Sequence, residues 1–189
     1  MALNRSSQWL CLCAVFALCF TLRIGVGGVI DATVPVVKRA DVYSDIAVNL
    51  ARGHGFVAEA GGEPIIWRAP LYPAFLAAVY ALFGEQNETG VFLTQSALDA
   101  VTAVLIFYLG TRLFGETVGL LSAVSFAVHP LSAYYSLRFL SEPLFTLAFT
   151  AVIAAWIAAV TTRRLMAYLA VGALIAVAAL VKPVALGLW

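Results

Sequence analysis

Apolar positions dominate most of this chain in runs of about 20 residues, the length a helix needs to cross about 30 Å of hydrocarbon. Trp9 through Ile30 is the first run, broken by a single charge, Arg23. Four more occupy 91–111, 117–135, 142–161 and 165–181, and Val184 to Trp189 begins another. The pattern predicts an all-α integral membrane protein with about five transmembrane helices. A secretory leader competes for the first run, because Arg5 precedes its apolar core. No clear small-x-small cleavage site follows, and further spans lie downstream, which favours a membrane helix. The apolar stretch Leu71–Phe83 is only 13 residues long between Pro70 and Gly84, short for a crossing and expected to be interfacial or re-entrant. Because Trp189 ends the sequence inside an apolar run with no polar flank, the chain is expected to be one truncated membrane domain, 1–189.

Between the first and second spans the pattern changes. Residues 31–70 carry Asp31, Lys38, Arg39, Asp41, Asp45, Arg52, Glu59, Glu63 and Arg68 among glycines and prolines, a composition that belongs in water or headgroups. Tyr43, Ile46, Ala47 and Leu50 recur at i, i+3, i+4 and i+7, which predicts one apolar face of a short helix opposite Ser44, Asp45, Asn49 and Arg52. Gly53 is placed to cap it, and a helix lying on the membrane surface fits that face. Arg112, Arg163 and Arg164 set the orientation by the positive-inside rule: with 71–83 not crossing, all three are cytoplasmic and the 31–90 loop is external. Arg138 alone among the later loops votes the other way.

Composition supports the membrane assignment. The chain is 63% hydrophobic and 11% charged, with mean hydropathy +0.98, far from the mix of a soluble domain. Net charge is +1, which gives no electrostatic footprint for nucleic acid. Cys11, Cys13 and Cys19 all fall inside the first apolar run and read as small hydrophobic residues. His54 and His129 stand alone without metal-ligand spacing, and no Walker loop, dinucleotide fingerprint or zinc-helix motif occurs. No cofactor is expected. Asn87-Glu88-Thr89 matches a glycosylation sequon, a pattern common by chance.

Several polar residues have both a chemical and a structural interpretation. Asp41 at the membrane boundary could act as a general base, or it could N-cap the helix that Tyr43 opens. Arg68, in the rigid run Trp67-Arg68-Ala69-Pro70-Leu71-Tyr72-Pro73, could present its planar fork to a phosphate or anchor in headgroups beside Trp67. Gln95, Asp99 and Thr102 share one face of the second span, where Asp99 either marks a cavity or bonds between helices. Glu142, between Ser141 and Pro143, suits a helix N-terminus. Lys182, before Pro183, sits at the end of the fifth span, where it could simply mark an interface.

The runs DVYSDIAVNLARGHGF, WRAPLYPAFLAAVYALFG, FAVHPLSAYYS, SEPLF and ALVKPVAL together resemble the N-terminal part of GT-C fold membrane glycosyltransferases of the dolichyl-phosphate-mannose protein mannosyltransferase type (glycosyltransferase family 39), including the bacterial aminoarabinose transferase-like proteins. The likeness extends from Arg23 onward and rests on the ordered set, since each motif alone is weak. It implies transfer of a sugar from a polyprenyl-phosphate donor to a protein, lipid or glycan acceptor on the external face, in a bacterial or archaeal plasma membrane. It further implies that Asp41 is the catalytic base, with Asp31 or Asp45 as alternatives, and that Arg68 and Lys182 meet the carrier phosphate. Glu142 matches a Ser-Glu-Pro element; with Asp99 and Tyr43 it completes the substrate-binding candidates. The rival classes are a non-catalytic lipid-phosphate-binding subunit or inactive fragment, and a small transporter built on Asp99.

Overall fold

A computed structural model describes residues 5–33 and 42–188 of the 189-residue chain. Among the described residues there are eight α-helices and no strand: α1 (Arg5–Thr33), α2 (Val42–Ala51), α3 (Leu71–Phe83), α4 (Glu88–Phe114), α5 (Glu116–Val128), α6 (Pro130–Ser136), α7 (Glu142–Thr162) and α8 (Leu165–Val181), followed by a 3-10 helix, Pro183–Leu188. The protein is an all-α membrane protein. Helices α1, α4 and α7 contain segments long and apolar enough to cross a bilayer singly. The stretch 117–135 is two helices, α5 and α6, bent by 56° at His129, because Pro130 cannot donate the backbone bond that would continue α5. Helix α8 is a shorter apolar helix of 17 residues, and α3, at 13, is shorter still.

Helix α4 is central, packing against α1, α5 and α7. On α4, α5, α7 and α8 many large side chains point outward while alanines point inward: Leu120, Leu121, Ile153, Trp156 and Leu169 are exposed, whereas Ala100, Ala103, Ala123 and Ala127 are buried. That inversion suits a lipid solvent, in which close backbone approach, and not burial of bulk, holds helices together. The tightest approach is α4 on α5, where a Cβ on Gly110 would stand 2.6 Å from the Gly119 Cα.

Helices α2 and α3 form a unit, packed on each other and joined to the bundle through α3, which contacts α4 and α8. The expected apolar face of α2 is only partly the buried one: Ile46 and Ala47 are buried, but so are Ser44, Val48 and Asn49. The two polar residues tolerate this because they are bonded. Ser44 Oγ lies 2.8 Å from the Tyr80 hydroxyl, and Asn49 donates to the carbonyls of Val57 and Ala58. As the sequence predicts, Gly53 closes α2, with φ +79° and its N–H donating to Leu50 O at 3.1 Å while His54 N–H reaches Asn49 O. This pairing is a Schellman cap. Asn87 of the sequon caps α4, its side chain accepting from Gly90 N–H at 2.8 Å.

Candidate functional site

The sequence treats Arg23 as an isolated charge in the first span and Asp99 as one in the second; the fold joins them. Arg23 Nε donates to Asp99 Oδ2 at 2.8 Å, and both residues are 1% exposed. The break between α5 and α6 explains why a guanidinium sits there. Ending α5 inside an apolar layer strips its last carbonyls of their helical donors, and lipid offers no replacement. Arg23 supplies it, donating to Ala127 O at 2.6 Å and Phe126 O at 3.2 Å, and also to Ser132 Oγ at 2.9 Å. Ser136 Oγ donates to the same Asp99 oxygen at 2.5 Å, so one carboxylate ties α1, α4 and α6 together. His129 caps α6, its Nδ1 accepting from Ser132 N–H. The sequence signal for the pair was available: one cation and one anion, each alone in an apolar helix, must find each other.

A second polar chain leads from this cluster toward the α2–α3 unit. Gln95 Nε2 donates to the carbonyls of Ser136 and Arg138, and its Oε1 accepts from the Tyr72 hydroxyl at 2.8 Å. Tyr72 meets Tyr43 edge-on, with ring centroids 5.1 Å apart. Arg68 Nη1 donates to the Tyr43 hydroxyl at 3.1 Å, and its guanidinium lies 4.5 Å from the Tyr43 ring and 4.7 Å from that of Trp67. Helix α3 meets α4 at two points, with Phe83 beside Gly90 and Tyr72 beside Gln95.

The third cluster pairs residues 40 positions apart in sequence. Lys182 Nζ donates to Glu142 Oε1 at 2.7 Å, while Glu142 Oε2 is buried with no hydrogen-bond donor among the described residues. Glu142 and Asp99 both line a cavity of about 400 Å³ between α4, α5, α6 and α7. Thr102, the third member of the Gln95 face, is satisfied within α4 by Leu98 O.

The structure therefore brings together Tyr43 with Arg68, Glu142 with Lys182, and Asp99 with Glu142 across one cavity. Asp41 lies outside the described residues. Asp31 falls in the last turn of α1, and Asp45 is exposed on α2. Among the described residues, sequence reasoning missed the partners that make these positions specific: Arg23, Tyr72, Ser132 and Ser136.

Neither curated proteins nor solved structures match the chain. Residues 67–188, which hold Arg68, Asp99, Glu142 and Lys182, match the model of the family described as dolichyl-phosphate-mannose-protein mannosyltransferase. That match covers well over half of the sequence, and the chain belongs to this family of membrane glycosyltransferases.

Proposed function

We propose that this protein transfers a sugar from a polyprenyl-phosphate donor to a protein, lipid or glycan acceptor on the external face of a cell membrane, with the 31–90 loop on that face. The observation that carries this assignment is the setting of Arg68, whose guanidinium lies against the rings of Tyr43 and Trp67 and donates to the Tyr43 hydroxyl. A lipid-linked phosphate presents its charge at a membrane boundary, where Trp and Tyr side chains concentrate, and a planar guanidinium meets phosphate oxygens in pairs. Tyr43 stands two positions after Asp41 in the sequence. In this scheme Asp41 takes the proton of an acceptor hydroxyl, whose oxygen attacks the anomeric carbon from the side opposite the phosphate. The glycosyl–phosphate bond breaks, its electrons pass to the phosphate oxygen, and Arg68 meets the developing charge. The product has inverted stereochemistry. Lys182 is the second cation assigned to the carrier, with Glu142 as its counter-charge, and Asp31 is the alternative base.

The test is sugar transfer from a polyprenyl-phosphate donor in membranes carrying the protein. Removing a general base is expected to slow transfer by about 10²–10⁴-fold, so Asp41→Asn should fall in that range while donor binding persists. Arg68→Ala should weaken donor binding. Full transfer by Asp41→Asn together with loss in Asp31→Asn would move the base to Asp31. Donor binding with no transfer from the unaltered chain would favour the non-catalytic subunit.

A further inference from the structure

Three side chains, Gln95, Tyr72 and Tyr43, link the middle of the bundle to Arg68. Gln95, 1% exposed on α4, accepts from the Tyr72 hydroxyl at 2.8 Å through Oε1. Its Nε2 donates to Ser136 O at 2.9 Å and Arg138 O at 2.8 Å, carbonyls at and just beyond the end of α6. A side-chain amide suits this junction, because it accepts at one end and donates two bonds at the other. Ser136 is itself held, its hydroxyl donating to Asp99 one turn further along α4. The anchor offered to Tyr72 is therefore tied to two helices in a buried setting, where a satisfied polar network holds one geometry.

Tyr72 carries that anchorage outward by two routes. It is fully buried in the first turn of α3, which follows Pro70 and closes with Ala74 N–H on Pro70 O at 3.2 Å. Arg68 precedes Tyr72 by four residues, and the proline ring between them restricts the backbone that joins them. Tyr72 also meets the Tyr43 ring edge-on, with centroids 5.1 Å apart, while the face and hydroxyl of Tyr43 receive the half-buried Arg68 guanidinium. A bond made to α4 thus reaches Arg68 both along the chain and through a ring.

We propose that Gln95 and Tyr72 are positioning residues for the carrier phosphate, setting the Arg68 guanidinium without touching the phosphate themselves. The inference rests on the assignment of Arg68 to that phosphate. A paired guanidinium–phosphate contact requires a fixed guanidinium plane, so a shift of Arg68 costs affinity while the fold stays intact. Tyr80 supplies a matched control. It lies about 12 Å further along α3, and its buried hydroxyl is 2.8 Å from Ser44 Oγ of α2. Tyr80→Phe removes a phenol bond of the same length off the path to Arg68.

The experiment is isothermal titration of the 189-residue chain in phosphatidylcholine nanodiscs with geranyl phosphate, blanked against empty nanodiscs. It reads Kd and the binding-competent fraction separately. Tyr72→Phe and Gln95→Leu should each raise Kd about two- to thirtyfold, the range for residues that act on a site through a packed network, at unchanged stoichiometry. Tyr80→Phe should leave Kd where it is. In an Arg68→Ala background Tyr72→Phe should add nothing, because the group it positions is gone. Unchanged Kd in Tyr72→Phe and Gln95→Leu, with or without a fall in stoichiometry, would make both residues structural and overturn the proposal. An equal rise in Tyr80→Phe would do the same, and losses that add to those of Arg68→Ala would overturn the path through Arg68. Binding by Arg68→Ala as tight as that of the unaltered chain, or no binding by the unaltered chain, would instead overturn the phosphate assignment and this inference with it.

Discussion

Two arginine–carboxylate pairs in this protein share the same chemistry and differ in geometry, burial and what surrounds them. Arg52 and Glu85 form a two-pronged fork, with bonds of 2.6 and 3.1 Å, and their side chains are 54% and 42% exposed. Arg23 makes a single 2.8 Å bond to Asp99, with side chains 1% and 2% exposed. By bond count the exposed pair is the better one. By free energy the buried pair should dominate, because water competes for the first and nothing competes for the second. The guanidinium of Arg23 also serves Ala127 O, Phe126 O and Ser132 Oγ. What a buried charge holds in place matters more than the quality of its contact with its partner.

The sharpest way to break this comparison is Arg23→Leu. The variant strands the Asp99 carboxylate and removes the donor from the carbonyls that end α5, so the expected cost is about 3–5 kcal/mol. Denaturant melts in nanodiscs would measure it, and a loss under about 1 kcal/mol would refute the argument, since that is the range of exposed pairs. Arg23→Leu with Asp99→Leu should recover part of the loss, since no uncompensated charge remains, but not all, since the α5 carbonyls still lack their donor. Full recovery would mean that the pair only neutralises itself.

Next in size is Gln95→Leu. It removes one acceptor and two donated bonds at a residue 1% exposed, for an expected cost of about 1–3 kcal/mol. Because Gln95 links the buried cluster to Tyr72, amide exchange should quicken in α3 more than in α8. Equal quickening everywhere would place Gln95 in global stability and not in the link.

The difference between the two pairs also marks what the sequence could convey. Runs of apolar residues announced α1, α4 and α7, because bilayer thickness acts on length and composition alone. The break in 117–135 was carried by Pro130, yet hydropathy reads straight through a His129-Pro130 pair set between Val128 and Leu131. Gly53 was legible as a cap, because positive φ favours glycine locally. Glu142 and Lys182 were each visible as a charge at a span's end, but nothing local relates positions 40 apart. Ser44 and Asn49 looked like solvent-facing residues for the same reason, their partners Tyr80, Val57 and Ala58 being set by tertiary packing.

Tyr80 offers an intermediate case between the two pairs: a buried neutral bond. Burial pushes its phenol above the ordinary value of 10.0, more than the bond from Ser44 lowers it. A phenol whose folded pKa is raised gives stability that is whole below pH 10 and is lost as pH rises through the higher folded value, because the unfolded chain releases its proton first. Tyr80→Phe should cost about 0.5–1.5 kcal/mol at neutral pH and should flatten the alkaline loss in the α2–α3 unit. An unaltered alkaline profile would assign that loss to another group.

The smallest effect is expected from Arg52→Ala, and its smallness is the point. The fork is well formed, yet at 54% and 42% exposure each charge removed from its partner is taken up by water, and holding two long side chains in one geometry costs rotamer entropy. The expected change is about 0.2–1 kcal/mol, and it should shrink further as salt is raised from low to physiological ionic strength, where the Debye length is about 8 Å. Arg23→Leu should show almost no salt dependence, since ions do not reach a pair that is 1% exposed. A salt-insensitive loss of several kcal/mol in Arg52→Ala would mean that the fork is shielded in the membrane-bound protein. The 53–90 segment would then lie against headgroups, and the contrast between the two pairs would be one of depth in the bilayer, with no pair truly in water.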